Sequence, residues 1–503
     1  MKKGIVAIGL LIILTFTGCT SNNTINTEQK NYEGRTFYEI FVRAFNDSDG
    51  DGIGDLQGVI EKLDYLEELG IKGLWLMPIT EATSYHGYDT ENYYNIDPDY
   101  GTIDDLKLLI DEANKRDIKV IMDLVINHSS SNHPWFKEAA TNVDSQYRDY
   151  YIWEEDMSKE GEMSAMGTRR WAINKERNEL YNAIFWEGMP DLNMDNPKVV
   201  EEVKNIAKFY LDLGIDGFRL DAVKWIYEEK DKNLVFWKDF NEYVKSINPD
   251  AVLVGEVWDR PSNIAEYAKV MDSFFEFSVG ETIIGSSSSG YIDGLPSSFN
   301  NWNDSYKEQN PDFIIANFLT NHDQNRYMSE VEGLEKAKKA AAMYIMLPGT
   351  PYIYYGEEIG MTGVKPDERI REPFIWSSTD SSKNTSWIDS TNDANIIGLD
   401  VQEEDPNSLY NFYKDIIKVK NEQPSLRYGE VNKLDAKNQK VLIMDRTYEE
   451  ERSLVIVNGS DKNEIINLDK KGYKVLYSSS DREIGDKLKE EVTLEANEIL
   501  IVK

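Results

Sequence analysis

Gly214-Ile-Asp-Gly-Phe-Arg-Leu-Asp221 is a short apolar run that ends on a carboxylate. Just before it, Val199, Val200, Val203, Ile206, Ala207 and Tyr210 recur at helical spacing, and Gly214 closes the stripe. A helix that feeds a strand is the repeating unit of a parallel sheet. The same alternation extends in both directions along the chain. Strands are predicted at Thr36–Phe45, Ile71–Pro78, Lys119–Asn127, Gly214–Asp221, Val252–Val257, Ser273–Phe277, Phe313–Thr320 and Pro351–Tyr355. Leu56, Val59, Ile60, Leu63 and Leu66 predict a helix ending at Gly70, and Leu106, Leu109, Ile110 and Ala113 predict another. Near-continuous apolar strands imply a sheet covered on both faces. Eight of them fit an α/β fold of the (β/α)8 TIM-barrel type with insertions.

Two regions break the alternation. From 128 to 190 the chain is polar, rich in Tyr and Trp, and lacks a barrel strand. It reads as a subdomain B inserted after the third strand, leaving 33–127 and 191–424 for the barrel. After Gln423–Tyr428 come Val441–Met444, Leu454–Val457, Ile465–Leu468, Lys474–Leu476 and Ile499–Val502, with turn residues between. They predict a C-terminal antiparallel β-sandwich over 425–503. Ser286–Ser289 reads as a short flexible loop.

Composition narrows the class. With 503 residues, 41% hydrophobic and 29% charged, the chain is neither disordered nor collagen-like. A net charge of −35 argues against a nucleic-acid partner. Aromatics reach 12%, which suits sugar-stacking platforms and also a large core. One Cys allows no intramolecular disulfide and no Cys-rich zinc site. That Cys follows Lys2, Lys3 and the apolar run Ile5–Phe16. Residues 1–18 therefore read as a signal peptide. Thr17-Gly18-Cys19 resembles a bacterial lipobox, which makes Cys19 the lipidation site and 19–32 a tether. The expected location is the extracellular face of a bacterial membrane, held by the lipid anchor only, with secretion as the alternative. The protein is expected to be a monomer.

In a (β/α)8 barrel the active site lies at the C-terminal strand ends. There the chain carries Asn127-His128, Arg219-Leu-Asp221-Ala222-Val-Lys224, Glu256-Val-Trp258 and Asn321-His322-Asp323. Asp221, Glu256 and Asp323 thus converge on one mouth. Arg219 shares a strand face with Asp221 and is placed to keep it ionised. Such a set suits glycoside hydrolysis. One carboxylate attacks the anomeric carbon, a protonated one serves the leaving oxygen, and a third stabilises the oxocarbenium-like transition state. A retaining pair stands about 5–5.5 Å apart, and the acid needs a raised pKa.

These segments, with Met189-Pro-Asp-Leu-Asn193, resemble the conserved regions of the α-amylase family, glycoside hydrolase family 13. The spelling is similar to the group between oligo-1,6-glucosidases and neopullulanases, and the match runs from about Tyr38 to the C-terminus. The resemblance implies Asp221 as nucleophile, Glu256 as general acid and base, and Asp323 as transition-state stabiliser. Arg219 would hold Asp221. His128 and His322 would bind hydroxyls of the sugar before the cleaved bond, Tyr88 would stack under it, and His86 lies in the same motif. Lys224 would contact the sugar beyond the cleavage point. Ala222 after the nucleophile resembles enzymes acting on α-1,4 bonds. Asp89 and Arg371 resemble an ion pair that closes the site in exo-acting relatives. The implied substrate is starch, maltodextrin or maltooligosaccharide. A 4-α-glucanotransferase, an exo-acting α-glucosidase and an inactive starch-binding lipoprotein stay open as alternatives.

One acidic loop, Asp47-Ser-Asp49-Gly-Asp51-Gly-Ile53-Gly-Asp55, offers oxygen ligands with a spacing suited to Ca²⁺. Asp47, Asp49, Asp51, the Ile53 carbonyl and Asp55 are the candidate ligands. The loop resembles the calcium loop on the oligo-1,6-glucosidase side of the family. A second calcium site of the family uses a His four residues after the nucleophile, where this chain has Trp225.

Overall fold

The computed structural model describes residues 32–331 and 333–503. The expected signal peptide and Cys19 lie outside them. Eight parallel strands close into a barrel: β1 (Phe37–Ile40), β2 (Gly73–Leu76), β3 (Lys119–Leu124), β4 (Gly217–Leu220), β5 (Val252–Gly255), β6 (Ser273–Phe275), β7 (Ile314–Asn317) and β8 (Thr350–Tyr354). Each strand pairs with its sequence neighbours, and β8 closes on β1. All eight predicted strands are present, seven within narrower bounds and the last shifted by one residue. The first differs most, because β1 stops at Ile40 and Val42–Phe45 forms a short helix. Phe41, Val42 and Phe45 are buried, and an apolar run alone does not separate strand from buried helix.

Side chains alternate along each strand. Phe37, Trp75, Ile121, Val254, Phe275 and Tyr352 form an inner cluster. Their neighbours Tyr38, Leu74, Leu76, Val120, Met122 and Phe218 join the outer core with the helices. The helix Pro197–Leu213 shows why these positions are helical. Asn196 caps it by accepting from the Lys198 amide, and Val199, Val203, Ile206, Ala207 and Tyr210 are buried along one face. Full burial of a large apolar side chain contributes about 1.5–3 kcal/mol, so that face outweighs weak local propensity. Gly214 ends the helix at φ 103°, a left-handed cap that favours glycine.

Two further expectations are corrected. The stripe from Leu56 forms two helices, Leu56–Glu61 and Leu63–Leu69, which meet at Lys62. Ser286–Ser289 is not a loop but the last turn of the helix Phe277–Ser289. The Ser287 hydroxyl donates to the Ile283 carbonyl at 2.8 Å, and buried Val279 and Ile283 hold the helix despite the serines.

Between β3 and β4 the chain forms the helix Pro134–Thr141 and a three-stranded sheet of Trp153–Glu154, Glu179–Asn182 and Trp171–Asn174. Asp191 straps this insertion to the barrel. Its buried carboxylate accepts from Asn127 (3.2 Å), Asn182 (2.7 Å) and the Ile184 amide (3.1 Å). The C-terminal region is a five-stranded antiparallel sheet that shares one core with the two-stranded antiparallel sheet of Glu464–Asn467 and Glu491–Leu494. The strands Glu430–Lys433 and Glu491–Leu494 were not predicted. They bury only alternate residues, Val431 in the first and Val492 and Leu494 in the second, too few for an apolar run.

Candidate active site

The register of β3 against β4 sets Asp123 beside Arg219. Arg219 is fully buried, and its guanidinium serves three carboxylates. Nη1 meets Asp123 at 2.5 Å and Asp221 at 2.7 Å, and Nη2 meets Glu256 at 2.9 Å. The other Asp123 oxygen accepts from the Trp75 indole at 3.1 Å and the Tyr88 hydroxyl at 3.3 Å. Asp221 and Glu256 therefore face each other across one planar cation.

The carboxylates differ electrostatically. Burial pushes Asp221 up to about 6 against the pull of Arg219. Burial also raises Glu256, where Arg219 opposes and the charges of Asp221 and Asp323 add. Asp323 goes the other way. Burial would raise it too, but His322 and Arg371 outweigh that and hold it well below the usual carboxylate range. His322 Nε2 lies 3.0 Å from Asp323 and Nδ1 lies 2.6 Å from Glu39. These charges outweigh burial and push His322 up to about 9, so the ring is cationic at neutral pH. Arg371 Nη2 meets Asp323 at 3.1 Å, and its Nε donates to the His322 carbonyl at 3.0 Å.

Backbone strain sits beside the chemistry. Ala222 lies in the left-handed region at φ 50°, a conformation costing roughly 1–2 kcal/mol for a non-glycine residue. It turns the Ala222 amide onto Glu256 Oε2 at 3.1 Å.

A cleft of about 440 Å³ opens over this centre. Asp221, Glu256, Asp323, His86, Tyr88, His128, Lys224 and Arg371 all line it. The Tyr88 ring stacks on His322 at 5.5 Å. His128 donates to the Tyr88 carbonyl at 3.0 Å, and burial lowers its pKa to about 4, leaving it neutral. Lys224 is tied to Asp259 at 2.6 Å.

Asp89 does not pair with Arg371. Its carboxylate accepts from the Ser84 amide at 3.1 Å and from the Ser84 hydroxyl, while Arg371 is taken by Asp323 and Asp367. In the acidic loop, Asp47, Asp49 and Asp55 place ligand oxygens within 4.8 Å of one another. Asp51 is outside that cluster, and its Oδ1 accepts from the Ile53 amide at 2.8 Å.

Sequence reasoning did not single out Asp123 and Glu39 as site residues. Each is a lone carboxylate inside an apolar strand, Val-Ile-Met-Asp123-Leu and Phe-Tyr-Glu39-Ile. A charge that is buried only when paired was the available signal. Phe185, Met166 and Met189 reach the cleft from the insertion, and nothing in a single sequence marks them.

Residues 39–429 match the family described as alpha amylase, catalytic domain. The chain belongs to the α-amylase family. It is 46% identical over 431 residues to "Alpha-amylase 3" of Dictyoglomus thermophilum, covering 85% of each chain. It is 30% identical to an oligo-1,6-glucosidase of Parageobacillus thermoglucosidasius, covering 90% of this chain and 95% of that one. The crystal structure of an α-amylase from H. orenii superposes with a TM-score of 0.87 at 40% identity, covering 94% and 99% of the two chains. Membership of the α-amylase family matches the three-acid cleft at the strand ends.

Proposed function

We propose that this α-amylase family member is a retaining hydrolase of α-1,4-glucosidic bonds in starch, maltodextrin or maltooligosaccharides. The observation that carries the reading is the cleft where Asp221, Glu256 and Asp323 meet with unequal proton affinities. Asp221, ionised above about 6, attacks the anomeric carbon. Glu256 gives its proton to the departing glycosidic oxygen, leaving a glycosyl ester on Asp221. Glu256 then takes a proton from water, which attacks the same carbon and frees Asp221. Two inversions return the original α configuration. Asp323 stays charged throughout and faces the developing positive charge. The absence of an Asp89–Arg371 pair removes one support for exo action. A product time course on amylose, pullulan, isomaltose and a cyclodextrin tests the reading, with proton NMR of the fresh reducing ends. Rapid amylose cleavage with α-anomeric products is expected. β-Anomeric products would overturn retention, and preference for isomaltose would overturn the linkage.

We infer that the acidic loop holds Ca²⁺. Three carboxylates crowded at one point suit a hard dication with oxygen ligands. Asp47, Asp49 and Asp55 would hold it, joined by Asp51 and the Ile53 carbonyl on a small rearrangement. Its contribution is structural, because Asp55 also caps the helix Leu56–Glu61. EDTA is expected to lower the thermal midpoint by several degrees, with recovery on Ca²⁺ but not K⁺. An unchanged midpoint would remove the site.

A further inference from the structure

The turn that carries Phe185 and Met189 into the cleft also carries Trp186, and Trp186 does not enter it. Its indole is 56% exposed and borders a separate groove of about 510 Å³ on the inserted subdomain. The turn is firmly pinned. The Met189 amide donates to the Trp186 carbonyl at 2.8 Å, and the Ser131 amide donates to the Gly188 carbonyl at 2.8 Å. The Tyr181 hydroxyl donates to the Glu187 carbonyl at 2.6 Å. Gly188 lies beneath the indole. A Cβ there would fall 1.9 Å from the ring, so only glycine lets the ring lie this close to the backbone. One ring face is therefore backed by main chain and the other is open. A rigid indole face open to water beside a groove is a surface on which the apolar face of a ligand can pack.

We propose that this groove is a second binding site for the α-glucan chain, outside the catalytic cleft. The proposal rests on the hydrolase reading above. A pyranose presents a flat face of C–H groups, which packs on an indole, and a rim of hydroxyls, which needs both donors and acceptors. The groove supplies that rim through Lys137, Lys175, Glu176 and Glu187. Two cations and two anions balance there, which favours a neutral ligand over a charged one. Continuity decides the occupant. Phe185 lines the cleft and its neighbour Trp186 lines the groove, so a chain longer than the cleft has a stacking surface next along the same turn.

The test uses the full chain carrying Asp221→Asn, so that glucan is bound and not consumed. Retardation in native gels containing amylose and titration with maltotriose are measured with and without Trp186→Ala. The substitution is expected to weaken amylose binding about five-fold, with Trp186→Phe keeping part of it. Maltotriose affinity should stay within about two-fold and the thermal midpoint should hold. In the active enzyme, KM for amylose should rise with turnover of maltotriose unchanged. If wild type cleaves maltotriose while Trp186→Ala leaves amylose retention intact, the groove is not a glucan site and the hydrolase reading stands. Equal weakening for trimer and polymer would place Trp186 in the cleft and overturn the proposal. If wild type neither cleaves nor binds glucan, both readings fall together.

Discussion

An Arg219→Leu enzyme is expected to lose activity by at least about 10³-fold and to become less stable by roughly 3–5 kcal/mol. The reason is the number of anions that one guanidinium neutralises. Asp123, Asp221 and Glu256 all lie within 3 Å of it, and its side chain is 1% exposed. Leucine would leave those carboxylates buried without a counter-charge. They would respond by taking up protons, so their pKa values would climb further than burial already drives them. The pH dependence then has a defined sign. Attack requires ionised Asp221, whose pKa burial already pushes up to about 6, so the acid limb of the rate profile should move to higher pH than in the parent. Its midpoint belongs to the coupled acids rather than to one residue. Stability should move with it. A folded-state pKa above the unfolded one favours the protonated form in the fold, so the loss should be small in acid and grow as pH rises. Arg219→Lys should rescue poorly, because an ammonium is a point donor and cannot span Asp221 and Glu256 as a fork does. Thermal melts and kcat/KM across pH 4–9 check both halves. A variant as stable as the parent at pH 8 would show that Arg219 is not the counter-charge.

What is legible in the sequence follows from what each feature depends on. The barrel was legible because the buried strands are mostly apolar runs, such as Val252-Leu-Val-Gly255, with no local rival. Asp221, Glu256 and Asp323 were legible because strand ends are the one place where a barrel presents chemistry. The Arg219 to Asp221 contact was legible from period two. Its contact with Asp123 was not, since it depends on which residue of β3 stands opposite on β4. The left-handed turn at Ala222 was hidden because alanine does not advertise positive φ as glycine does. The Asp89–Arg371 expectation failed on a local competitor. Ser84, five residues away, satisfies Asp89 within one turn, and a short loop closure costs less than a contact across the cleft. Asp51 stands apart from the Asp47, Asp49 and Asp55 oxygens for a similar local reason, since it accepts from its own backbone two residues on.

Asp221→Asn and Glu256→Gln should abolish glucan cleavage by different routes. Removing a nucleophile costs about 10⁴–10⁶ in kcat, while removing an acid–base group costs about 10²–10⁴. The leaving group separates the two roles. Glucan leaves as an alkoxide unless a proton arrives, so Glu256→Gln should be nearly inert on amylose. An α-maltosyl fluoride leaves as fluoride and needs no proton, so the same variant should still glycosylate Asp221 from that substrate. Deglycosylation would then stall, because water needs a base that glutamine does not provide. Azide is already an anion and needs none, so it should restore turnover and yield the α-glycosyl azide. Asp221→Asn cannot form the glycosyl ester, so it should give no α-glycosyl azide, and any direct attack by azide would give the inverted β-azide. The exchange also tests the electrostatics. Glu256 carries the Ala222 amide and the Arg219 guanidinium on one oxygen, and glutamine can keep an acceptor toward both. Folding should therefore survive, and lost activity would report chemistry. Formation of the α-glycosyl azide by Asp221→Asn instead of Glu256→Gln would exchange the two assignments, and rescue in neither would remove the glycosyl ester from the mechanism.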